Sequence, residues 1–103
     1  MLKEVNSAEF KELCGTGLVL ADFFSTTCGP CKMLGFVLKD VEKEFGDDLT
    51  ILKIDFDQNK ELTAEYGVTG YPTLVLLKDG VEAGRLQGLQ QKPVIVKMIQ
   101  DNK

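Results

Sequence analysis

Residues 21–34 read ADFFSTTCGPCKML, and the two cysteines in that stretch sit where one kind of periodicity gives way to another. Upstream, Leu18 to Phe24 form an apolar run interrupted by a single charge, Asp22, which predicts a strand. Downstream, Leu34, Val37, Leu38, Val41 and Phe45 recur at helical spacing, with Lys39, Asp40, Glu42 and Lys43 on the wet face and Gly46 as the stop. Gly29 and Pro30 suit the first turn of that helix, where a missing N–H costs nothing. Cys28 then lies at the helix N-terminus, beside unpaired backbone N–H groups and the positive end of the dipole, both of which favour a thiolate. Cys31 follows one turn later, close enough to pair with Cys28 and less exposed.

Working outward, the elements alternate. Asn6 or Ser7 can cap a short first helix, with Glu9 as capping-box partner and Gly15 and Gly17 closing it. Leu49 to Phe56 reads as a strand with Lys53 and Asp55 as polar interruptions. Asn59 can cap a helix over Lys60 to Tyr66, ended by Gly67. Thr73 to Lys78 and Val81 to Leu86 form a hairpin through Asp79-Gly80, and a last helix starts near Pro93. Strand–helix–strand early implies a parallel pair with a right-handed crossover, and the late hairpin is antiparallel, so a mixed sheet with helices on both faces is expected.

Composition narrows the function. The chain has 103 residues, no linker and no repeat, which points to a single domain over residues 1–103. Its net charge of −4 with interspersed signs carries no footprint for nucleic acid. With no histidine, imidazole-based catalysis and most zinc sites are excluded, and the three cysteines are the remaining nucleophiles near neutral pH. The N-terminus lacks the apolar stretch of a signal peptide, and runs such as Leu74–Leu77 are too short to span a membrane, so a reducing cytoplasm is the expected address. No bound metal and no organic cofactor are expected; in particular there is no dinucleotide fingerprint.

The cysteine pair itself admits three readings. As a structural bridge it would close a loop of about four residues and stabilise the fold by roughly 2 kcal/mol, the low end of that scale. As half a metal site it would need four ligands, and only Cys14 remains to help. As a redox pair at a strand–helix junction it needs nothing further, and that reading is preferred.

These segments, together with LKIDFDQN, EYGVTGYPTLVLLKDG and a downstream Gly88, resemble the thioredoxin family along nearly the whole chain. The resemblance implies the thioredoxin fold, a central mixed sheet of about five strands flanked by about four helices. It also implies a protein-disulfide reductase cycling between dithiol and disulfide, re-reduced by thioredoxin reductase, acting as a monomer on disulfide-bearing clients. On that likeness Cys28 is the nucleophile and Cys31 the resolving thiol, with Gly29 and Pro30 tuning the pair.

Asp22 read alone is equally well an ordinary outward-facing acid or a buried one with a raised pKa. The resemblance makes it the buried proton acceptor, with Lys53 its partner rather than a solvent-facing lysine. It also implies a cis Tyr71–Pro72 bond and a client groove from Thr27, Phe56, Gly70, Tyr71, Pro72 and Gly88, in which the residue before the proline offers backbone groups to an extended client. Otherwise these are loop glycines and core aromatics.

Three positions depart from the family pattern. Thr27 stands where most members carry tryptophan, Phe24 replaces another common tryptophan, and Phe36 replaces a helix-kinking proline, which predicts a straighter helix. Thr27 is expected to narrow or shift the client range; a dedicated reductant with few clients and a redox-idle binding module are the alternative readings. Cys14 matches no catalytic position and is expected to be a small buried hydrophobe, or else a regulatory thiol.

Overall fold

Leu18–Phe24, here β2, is the strand around which the molecule is built, with all but its first residue buried. The computed structural model describes Met1–Lys103. Strand β1 is Leu2–Glu4, α1 Ser7–Leu13, α2 Gly29–Phe45, β3 Thr50–Asp55, α3 Lys60–Glu65, β4 Thr73–Lys78, β5 Val81–Gln87 and α4 Lys92–Asp101. They form one sheet in the order β1-β3-β2-β4-β5, parallel across the first three strands and antiparallel from β2 through β4 to β5.

Because alternate residues of a strand point to opposite faces, β2 feeds two cores. Val19, Ala21 and Phe23 join Leu52, Ile54, Val75 and Leu77 under Phe10 of α1 and Leu62 of α3. On the other face Leu20, Ile51, Leu74 and Leu76 meet Leu34, Leu38, Val41 and Phe45 of α2 and Ile95 and Ile99 of α4. Both faces are covered, as expected for a central strand with a parallel neighbour, β3, on one side and an antiparallel one, β4, on the other. Asp22 occupies the β2 slot between Leu20 and Phe24, so a carboxyl stands where this face otherwise holds hydrocarbon.

The expected helices and strands are present to within a residue or two at each end. Strand β1 has no counterpart among the segments expected from periodicity; it is three residues long, mostly exposed, and pairs with β3 while Leu2 packs against the α2-side core. Helix α2 is unbroken through Phe36. Asn59 differs in detail: it stands at the start of α3, but its side chain makes no cap there. Its carbonyl instead accepts from the backbone N–H and hydroxyl of Ser7, both at 3.0 Å, and its amide donates to the Asp55 carbonyl.

The capping box of α1 is complete. Asn6 Oδ1 accepts the Glu9 N–H at 2.9 Å, and Glu9 Oε1 accepts the Asn6 N–H at 3.2 Å. That cap, and the salt bridge of Glu9 to Lys3, hold the Glu9 carboxyl below its ordinary range. Since α1 seats the fully buried Phe10, Asn6→Ala is expected to destabilise the protein by about 1 kcal/mol. Denaturant unfolding monitored by circular dichroism measures it, and an unchanged midpoint would show the cap to be idle.

Candidate active site

Cys28 is the residue at which β2's loop becomes α2. Its backbone is extended and its Sγ accepts the N–H of Cys31 at 3.1 Å, so the sulfur itself caps the helix. Pro30 in the first turn leaves no N–H wanting a partner. The loop is tightened by Cys28 N–H donating to the Ser25 carbonyl at 3.3 Å. Cys28 and Cys31 form a disulfide with Cα atoms 5.2 Å apart. Their exposures differ: Cys28 is half-buried, whereas Cys31 is only 4% exposed.

Asp22 lies in the layer beneath, wholly buried, with neither carboxyl oxygen hydrogen-bonded. Burial in hydrocarbon raises its pKa from the ordinary carboxylate value to about 7, against the opposing pull of the Lys53 charge. Lys53 is its register neighbour on β3. The two do not form a direct ion pair; the Lys53 ammonium sits over the Phe24 ring at 4.9 Å from its centroid.

An open cleft of about 450 Å³ abuts the disulfide, bordered by Phe24, Thr27, Cys28, Cys31, Lys32 and Lys53 among others. Thr27 itself is exposed, its hydroxyl 3.3 Å from that of Ser25. A second depression of about 220 Å³ gathers Gly70, Tyr71, Pro72 and Gly88. There the Tyr71–Pro72 bond is cis, the Thr73 hydroxyl donates to the Gly70 carbonyl at 2.8 Å, and the Gly88 N–H donates to the Pro72 carbonyl at 2.8 Å. Phe56 meets the exposed Tyr71 edge to face, with ring centres 5.2 Å apart. The expected site residues thus fall into two clefts plus a buried acid, with Gly29 lining the first cleft and Pro30 on the exposed first turn of α2.

Lys32 was not among the expected site residues although it borders the cleft. A signal for it was present: Lys32, Gly35, Phe36 and Lys39 share one helical stripe at i, i+3, i+4 and i+7. Cys14 departs from its expected burial. It is half-buried at the end of α1, packs against the rim of one core, and its thiol is pushed upward by desolvation.

The thioredoxin family model matches residues 1–101. A thioredoxin of Bacillus subtilis is 44% identical over 90% of this chain and 86% of its own length. One of Listeria monocytogenes is 39% identical over 96% of each chain. Among solved structures, a point mutant of a thioredoxin from Halobacterium salinarum superposes with a TM-score of 0.88 at 36% identity, covering 95% of this chain and 87% of that one.

Proposed function

Since this chain belongs to the thioredoxin family and is a thiol–disulfide oxidoreductase that reduces protein disulfides, we propose that Cys28 is its nucleophile and Cys31 its resolving thiol. In this reading the Cys28 thiolate attacks one sulfur of a client disulfide, forms a mixed disulfide and expels the first client thiolate. Cys31 then gives up its proton and attacks Cys28 Sγ. The second client thiol leaves, and the two electrons that reduced the client are those lost in forming the Cys28–Cys31 disulfide.

The observation that carries the assignment is the asymmetry of the pair. Cys28 is the accessible sulfur and accepts a backbone N–H at the helix start, which stabilises its thiolate; Cys31 is buried, so only a group already bonded to Cys28 is within its reach. Asp22 is the acceptor and relay of the Cys31 proton. A carboxyl with a pKa of about 7 is half-protonated near neutrality, the condition under which proton transfer in both directions is efficient. Lys53, charged and next to Asp22 in register, tempers that pKa and so positions the relay.

The groove of Phe56, Gly70, Tyr71, Pro72 and Gly88 receives the client backbone, and Thr27 borders the contact beside the nucleophile. The redox centre is the cysteine pair itself, with no added cofactor. A thioredoxin reductase returns the disulfide to the dithiol, and the protein works as a cytoplasmic monomer. Thr27 puts a small side chain beside the nucleophile in place of a large flat contact, which narrows or shifts the client range.

Cys31→Ser tests the roles. Incubated with a disulfide-bridged peptide, the variant is expected to retain the peptide covalently at Cys28, an adduct visible by intact mass and released by dithiothreitol. Absence of that adduct, or its appearance on Cys14, would overturn the assignment.

A further inference from the structure

We propose that Lys32, Lys39 and Lys53 form a cationic track leading away from Cys28, and that the track selects client proteins whose reducible cysteine is flanked by an acidic, extended segment. This deepens the assignment of Cys28 as the attacking thiol and rests on it. The cleft beside Cys28 adjoins a second hollow of about 210 Å³, and Lys32 and Lys53 border both. The second hollow carries the track on to Phe36 and Lys39. Lys32 and Lys39 lie two turns apart on α2, about 10 Å along the axis, which matches about three residues of extended peptide.

Charge pairing and position together set these lysines apart. Lys3, Lys11, Arg85, Lys92, Lys97 and Lys103 each lie within 4.0 Å of a carboxylate. Lys32, Lys39 and Lys53 have no such partner, and no carboxylate lines either hollow. Lys43, Lys60 and Lys78 are unpaired as well, but they border neither hollow. Asp57 touches only the edge, where the Ser25 hydroxyl binds it at 3.3 Å. Two of the ammonium groups rest instead on aromatic faces, Lys53 on Phe24 and Lys39 on Phe36, at 4.9 and 5.7 Å from the ring centres. A ring steadies a cation without neutralising it, so the charge stays available to a ligand.

The rest of the surface works in the opposite sense, because the chain carries a net charge of −4. A client acidic throughout would be repelled at a distance; one with its acids beside the cysteine is matched locally. Gly35 borders the second hollow and lets the Lys53 ammonium come close to α2, 3.8 Å from where a Cβ would stand. Phe36, 62% exposed, gives the segment an apolar surface to lie on.

The test uses disulfide-bridged peptides that differ only in the three residues flanking one cysteine: glutamates, serines or lysines. Reduced protein is mixed with each, and the initial rate of peptide reduction is measured. At low ionic strength the glutamate peptide is expected to react about five- to tenfold faster than the serine peptide, the lysine peptide slower, with the spread collapsing in about 0.5 M salt. In Lys39→Glu the glutamate-to-serine ratio should fall towards one, a readout normalised within each protein and so independent of fold or intrinsic thiol reactivity. Equal rates for the three peptides, an unchanged ratio in Lys39→Glu, or a full gain from one glutamate next to the cysteine would overturn the track. Failure to reduce the serine peptide as well would instead remove the assignment of Cys28 beneath it.

Discussion

Replacing Cys28 by Ser is expected to lower the rate of protein-disulfide reduction by at least about a thousandfold, because a hydroxyl is not ionised near neutral pH and cannot form the mixed disulfide. The fold should survive. The Cys28 side chain caps α2 by accepting the Cys31 N–H, and a serine hydroxyl is among the best groups for that position. Stability measured against the reduced wild-type protein should therefore barely change, which separates a chemical loss from a structural one. Cys14→Ser is the contrasting variant. Its thiol is half-buried and pushed upward by burial, so removing it should alter the rate by less than about twofold. Comparable losses from the two substitutions would mean that the wrong thiol has been chosen.

Asp22→Asn is expected to make the protein more stable, by about 4 kcal/mol at pH 8, and to do so in a pH-dependent way. The ordinary aspartate value of 3.8 describes the unfolded chain, and burial raises the folded value to about 7. Below pH 3.8 the group is protonated in both states and the substitution changes little. Between pH 3.8 and 7 the folded protein holds a proton that the unfolded chain has released, so wild-type stability falls as pH rises. Above pH 7 the loss is complete. Asparagine has no proton to hold and no such slope, and it keeps the same shape with the same lack of hydrogen-bond partners. Denaturant unfolding of both proteins from about pH 4 to pH 8 measures the gap, and parallel curves would show that the carboxyl does not titrate in the folded state. The gain in stability should come with slower turnover, the expected cost of removing a strained group that serves the chemistry.

How much of this was visible in the sequence depends on how local each signal is. The α2 stripe, the Asp79-Gly80 hairpin and the capping box of Asn6 and Glu9 are patterns within a few residues, and the fold honours them. Strand β1 left no such trace, because three mostly exposed residues carry no period and owe their form to β3. Asn59 shows the converse. Its type suits a helix cap, but Ser7, distant in sequence, competes for the same oxygen and takes it.

The site divides in the same way. The position of Cys28 at a helix start follows from Gly29, Pro30 and the periodicity beyond. Asp22 read alone fits either face of the strand; only the alternation of β2 between two cores decides that it is enclosed. Its distance from a direct ion pair with Lys53 is not written in either residue. It arises because the lysine ammonium ends over Phe24 and beside Gly35, a contact made by three elements at once.

The order of strands in the sheet bears on how the molecule assembles. Strands β4 and β5 close through the two residues Asp79 and Gly80, whereas β2 and β3 must meet across residues 25–49. Ideal-chain scaling makes the longer closure costlier by roughly 2 kcal/mol of entropy. The segment that bears this penalty is the one that holds both reactive sulfurs and the whole of α2. The hairpin can arise from the last third of the chain alone, while the catalytic cleft exists only after β2 has found its parallel neighbour across that long span.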